Sequence, residues 1–107
     1  MKLWIDDVRP APEGYVWCKS VNEAKHRIRR GCEELINNPQ LDYYKIELLD
    51  VDFDAGDFAQ FGGDYIKLLD WLEETGRNYP IRIHSANAVG VENMRRIIQR
   101  NGWKEVF

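Results

Sequence analysis

Cysteine and histidine are scarce in this chain. The two thiols, Cys18 and Cys32, stand alone, and the two histidines, His26 and His84, share no metal-ligand spacing with them. A disulfide framework and a structural zinc site are thereby set aside. No apolar run approaches the ~20 residues that cross a bilayer, so no membrane association is expected. The opening MKLWIDD does not read as a signal peptide, and a reducing cytoplasm is the expected location. Charge of one sign is not in excess either. A net charge of −3 gives no global attraction to nucleic acid or anionic lipid, and the basic stretches KHRIRR (25–30) and MRRIIQR (94–100) read as solvated outer faces of helices. Internal repeats and low-complexity segments are missing. What remains is a globular composition in 107 residues, with room for one core and one domain spanning 1–107.

The carboxylates are unevenly placed. LLDVDFDAGD (48–57) sets Asp50, Asp52 and Asp54 at alternate positions, as a calcium-binding EF-hand loop does. Such a loop needs glycine at its sixth position and glutamate at its twelfth, and here those are Ala55 and Phe61. The preceding YYKIELL is β-branched and aromatic, which predicts a strand that ends in acids.

The pattern alternates along the chain. KLWI (2–5) and YVWC (15–18) predict short strands joined by RPAPEG, a loop with no room for a helix. Ser20 and Glu23 form a capping box, and Val21, Ala24, Ile28, Cys32 and Leu35 keep helical spacing until NNP. KIELLD predicts a strand, DYIKLLDWLEETG a largely buried helix closed by Gly76, IRIHS a strand, VENMRRIIQRNG a helix closed by Asn101 and Gly102, and WKEVF a last strand. The order β-β-α-β-α-β-α-β implies parallel pairing through right-handed crossovers, an open α/β sheet.

Ligands of such sheets bind beyond the carboxyl ends of the strands. Three strands are expected to end there in polar residues: Asp6 and Asp7 on the first, Asp50 with Asp52 on the third, Ser85 and Asn87 on the fourth. Carboxylates that close cannot all stay ionised without a cation, and Mg²⁺ (or Mn²⁺) on Asp6, Asp7, Asp50 and Asp52 is the simplest remedy. Neutralising Asp50 is then expected to stabilise the metal-free protein. Arg9 can clamp phosphate oxygens in a bidentate fork, and Ser85 and Asn87, leading into a helix N-terminus, can orient the phosphate. His84 titrates closest to neutrality of the groups near the crevice and is the acid/base candidate; because strand neighbours alternate in facing, a histidine beneath a helix is the alternative.

LWIDD, LLD and HSA resemble the receiver domain of two-component signalling, which implies an acidic pair at Asp6 and Asp7, an accepting aspartate at Asp50 and a phosphoryl-contacting hydroxyl at Ser85. LWIDDVRPAPEGYVW, LDVD, GGDYIKLLDWLE and IRIHSANAVGVENM are more similar to the cyclic-phosphate-processing receiver family, a receiver derivative without its first helix. That resemblance implies a receiver-like (flavodoxin-like) parallel sheet of order 2-1-3-4-5 lacking the first and last helices, and an activity on cyclic or terminal phosphates such as RNA 2′,3′-ends. The sequence departs from the family at Val51, where a histidine is usual, and at Ala88, where a proline is. It departs from ordinary receivers at Lys104, which starts the last strand instead of ending it, and in lacking the output helix.

Three functions follow as expectations. The first is a metal-dependent phosphoesterase in which Asp50, His84 and Ser85 carry the chemistry and a phosphate-containing small molecule or RNA end is the ligand. The second is a non-catalytic receiver-like module that binds a phosphorylated ligand or a protein partner. A divergent phospho-accepting signalling receiver is the third.

Overall fold

A computed structural model describes residues 1–107. Five strands form one parallel sheet of order β2-β1-β3-β4-β5: β1 Lys2–Ile5, β2 Tyr15–Cys18, β3 Leu48–Val51, β4 Ile81–Ile83 and β5 Glu105–Val106. Three α-helices connect them, α1 Val21–Asn37, α2 Ile66–Glu74 and α3 Ala88–Asn101. This is the open receiver-like α/β sheet that the sequence pattern and the resemblance imply.

Local sequence explains where the helices start and stop. Ser20 accepts the Glu23 N–H at 3.0 Å, and the Glu23 carboxylate reaches back to the Lys19 N–H at 3.3 Å, a displaced version of the expected capping box. α3 begins at Ala88 rather than Val91 because Asn87 caps it, accepting from the Gly90 N–H at 2.9 Å. Gly102 ends it in the left-handed conformation.

All three helices lie on one face of the sheet. Period-two alternation sends Leu3, Ile5, Leu49, Val51 and Ile81 into a single cluster with Val21, Ala24 and Ile28 of α1, Leu68, Leu69 and Leu72 of α2, and Met94, Ile97 and Ile98 of α3. Each of these is buried, and burying one of the larger side chains, Val, Leu, Ile or Met, contributes roughly 1.5–3 kcal/mol. The alternate residues, Lys2, Trp4, Tyr15, Trp17, Asp50 and Arg82, point to the other face, which no helix covers. The loop from β1 to β2 returns along that face, and Trp4 Nε1 donates to the Arg9 carbonyl at 2.9 Å.

The third strand differs from its expected span. Lys45–Glu47 stay outside it, behind a 3₁₀ turn over Asp42–Tyr44, and the strand runs one residue further, to Val51. Asp50 is therefore inside the strand, and Asp52 is the first residue beyond it.

Candidate functional site

The register of the sheet sets the site. Ile5 pairs with Val51, so the residues that follow, Asp6 and Asp52, emerge together at the carboxyl edge. Carboxylate oxygens of Asp6, Asp7 and Asp52 lie within 4.8 Å of one another, with Asp6 and Asp52 buried. Asp50 does not join them, because it pairs with Trp4, two residues before Asp6 and Asp52, and so lies one step lower on the same side of the sheet.

Each acid of the cluster has its own support. Asp6 Oδ1 accepts the Val8 and Arg9 N–H groups at 3.0 Å each, and Oδ2 meets His84 Nε2 at 2.9 Å. Burial pushes this carboxyl up, but the two backbone donors and the histidine outweigh it and hold it below the ordinary range. Asp52 Oδ1 accepts the Phe53 N–H at 2.8 Å. Asp7 is pushed the other way: burial and then the charges of Asp6 and Asp52 raise it, against its own backbone N–H. Gly56, at φ +54°, lies against it, and a Cβ there would run into Asp7 Oδ2.

His84 forms the second half of the site. Its Nδ1 meets Asp50 Oδ1 at 2.7 Å while Nε2 meets Asp6, and its ring stacks on Trp4 with centroids 3.8 Å apart and planes 5° from parallel. Each ring nitrogen thus faces one carboxylate oxygen. Asp50, fully buried, also accepts from the Tyr15 hydroxyl at 3.1 Å, and Arg82 Nη1 stands 3.5 Å away. The histidine beneath a helix is thus corrected: the strand ends at Ile83, and His84 continues its alternation onto the uncovered face.

The remaining sequence candidates divide. Arg9 donates from Nη1 to the His84 carbonyl at 3.0 Å, keeps Nε 4.0 Å from Asp6, and has a side chain half exposed, so further guanidinium donors are available at this edge. Ser85 Oγ accepts from the Asn87 N–H at 3.1 Å, and no protein acceptor takes its own proton. Asn87 spends its oxygen on capping α3 and turns its amide toward Asp54 at 3.4 Å. Val51, where the resemblance implies a histidine, points into the core on the opposite face from His84. The Lys104 carbonyl accepts from the Ile81 N–H at 2.9 Å, at the amino end of β4 and away from the acids.

The family model described as "Cyclic-phosphate processing Receiver domain" matches residues 1–100. The chain belongs to this family. Curated proteins and solved structures yielded no match. In this cyclic-phosphate processing receiver domain, Trp4, Tyr15 and Arg82 are the site residues that sequence reasoning missed. Their signal was the alternation itself: K-x-W-x-D, Y-x-W and R-x-H each put polar or aromatic groups at every second position, the mark of a sheet face without a helix on it.

Proposed function

We propose that the domain processes a cyclic or terminal phosphate ester at the carboxyl edge of its sheet, with Asp6, Asp7 and Asp52 holding a divalent cation. The observation that carries this reading is the clamping of His84 between Asp6 and Asp50 directly beside the three-carboxylate cluster. The donor set fits Mg²⁺ or Mn²⁺: hard oxygens only, and an Asp7 that burial and then its neighbours' charges disfavour as an anion. When bound, such a cation neutralises the cluster and withdraws charge from phosphate oxygens.

The protein's own groups supply the rest. Arg9 offers donors to a non-bridging oxygen, and the Ser85 hydroxyl offers another. His84 holds a proton at Nε2, next to Asp6, where a leaving alkoxide can take it as water adds to phosphorus and the ester P–O bond breaks. Asp50, with Tyr15 and Arg82 behind it, keeps the ring turned to that task. Asn87 contributes by fixing the start of α3.

A second reading has its own observation. Both nitrogens of His84 are already satisfied within the protein, so the ring also works as a tie between β1, β3 and β4 in a module that binds a phosphorylated ligand without turning it over. Assay of a 2′,3′-cyclic nucleotide panel with Mg²⁺, Mn²⁺ or EDTA separates the two. Hydrolysis that EDTA abolishes supports the enzyme, whereas binding of phosphorylated ligands without hydrolysis selects the module.

A further inference from the structure

The uncovered face of the sheet continues downward from the acidic edge, and its make-up is unusual for a surface open to solvent. Tyr15 and Trp17 of β2 are half-buried on it, beside the exposed cations Lys2 and Arg82. Lys19 Nζ lies 4.5 Å from the Trp17 ring centroid, and Lys2 Nζ lies 5.3 Å from that of Tyr15. Each ring therefore carries a flexible ammonium group near its π face, and Tyr15 also packs edge-to-face with Trp4, its ring centroid 5.7 Å away. Trp17 is also tied to the edge, since its Nε1 donates to the Asp6 carbonyl at 2.8 Å.

We infer that Trp17, with Tyr15 beyond it, is a stacking platform for an unpaired nucleobase whose own phosphate sits at the acidic edge. The inference rests on the phosphate-ester reading and narrows its substrate to nucleotides of a single strand. Spacing supports it. The backbone of Trp17 pairs with Trp4, two residues before Asp6, and its ring reaches up to the Asp6 carbonyl, so a base on that ring stands next to the acidic edge. A nucleotide stacked there has its phosphate within reach of that edge. Charge complementarity supports it as well: Lys2 and Lys19 flank the rings without an acidic partner, so an apolar occupant would bury them without a counter-charge, whereas a phosphate backbone crossing the sheet pairs with both. Stacking on a half-buried ring also requires a base free of its own helix stack.

The test compares three probes in Mg²⁺: inorganic phosphate, adenosine and adenosine 3′-monophosphate. Calorimetry follows affinity for wild type, Trp17→Leu and Trp17→Phe, with circular dichroism confirming that each is folded. The nucleotide is expected to bind more tightly than phosphate. Trp17→Leu is expected to lose about tenfold for the nucleotide, the scale of one base–aromatic stack, and nothing for phosphate, while Trp17→Phe keeps most of the advantage. Independently of any variant, the Trp17 indole N–H resonance of the wild type should shift with adenosine and with the nucleotide but not with phosphate. A folded Trp17→Leu that binds the nucleotide as the wild type does would overturn the platform, as would an indole resonance indifferent to both base-containing probes. A dimer in sedimentation that Trp17→Leu dissolves would assign the face to a second copy and overturn it too. If adenosine and the nucleotide bind through Trp17 and phosphate contributes nothing, the platform stands and the edge reading fails.

Discussion

Replacing Asp7 and Asp50 by asparagine, one at a time, should change stability in opposite directions. Asp7 sits with Asp6 and Asp52 in a cluster whose oxygens lie within 4.8 Å of one another. Two unit charges at that distance repel by about 1 kcal/mol in water and roughly 3.5 kcal/mol at an effective dielectric of 20. Asp7 is partly exposed, so the solvent-screened figure applies, and Asp7→Asn should gain roughly 1–2 kcal/mol without metal. The gain depends on pH in a defined sense. Because the folded-state value is raised above the ordinary 3.8, the penalty is absent below 3.8 and grows as pH rises through the folded value. The advantage of Asp7→Asn should therefore be present at pH 7 and vanish near pH 3. Asp50 is the reverse case: fully buried, it accepts from Tyr15 and His84 and faces Arg82. An amide there sets its NH₂ against donors, and Asp50→Asn should lose about 2–4 kcal/mol. Urea midpoints of the three proteins at pH 7 and pH 3, in EDTA and in excess Mg²⁺, make the comparison. Excess Mg²⁺ should stabilise wild type more than Asp7→Asn. Loss of stability in metal-free Asp7→Asn at pH 7 would refute the crowding argument, and an Asp50→Asn as stable as wild type would refute the role given to its donors.

Other consequences are accessible to simple assays. Burial pushes the Cys18 thiol up to about 12, with Glu23 adding to the shift and Arg27 opposing it. An unfolded thiol ionises from about pH 9, so stability should fall between pH 9 and 12 by about 1.4 kcal/mol per unit from this group, and the fall should be shallower in Cys18→Ala. Gly56→Ala adds a Cβ at positive φ against the Asp7 carboxylate, and should cost about 1–2 kcal/mol and weaken Mn²⁺ binding measured by calorimetry. Arg29 and Arg30 are exposed on α1, so their replacement by glutamine should leave the urea midpoint within about 0.5 kcal/mol and leave any activity unchanged.

Much of the fold is legible in the amino-acid sequence. Short apolar runs broken by a capping box at Ser20, by NNP and by Gly102 give the element order, and the crossover rule then leaves few topologies for a parallel sheet. The grouping of Asp6 and Asp7 at a strand end is equally readable. Which later acid joins them is not. One residue of extra strand, to Val51, leaves Asp50 inside the strand and puts Asp52 at the edge, and strand ends are set by pairing with β1 and β4 rather than by local propensity. The facing of His84 follows from the alternation of β4, with Ile81 and Ile83 toward the core and Arg82 and His84 away from it. Helix α3 starts earlier than its hydrophobic pattern because Asn87, read as a phosphate contact, acts as its cap.

Hydrolysis of a 2′,3′-cyclic nucleotide followed by ³¹P NMR, in wild type, Asp52→Asn and His84→Gln with Mn²⁺, is the most direct test of the phosphate-ester site. Wild type should convert the cyclic phosphate to a monoester. Asp52→Asn should lose both turnover and Mn²⁺ binding, and His84→Gln should bind Mn²⁺ as before while turning over about 10²–10⁴-fold more slowly, the range for loss of a general acid. Turnover in His84→Gln equal to that of wild type, or a cyclic signal that wild type leaves untouched with either Mg²⁺ or Mn²⁺, would contradict it.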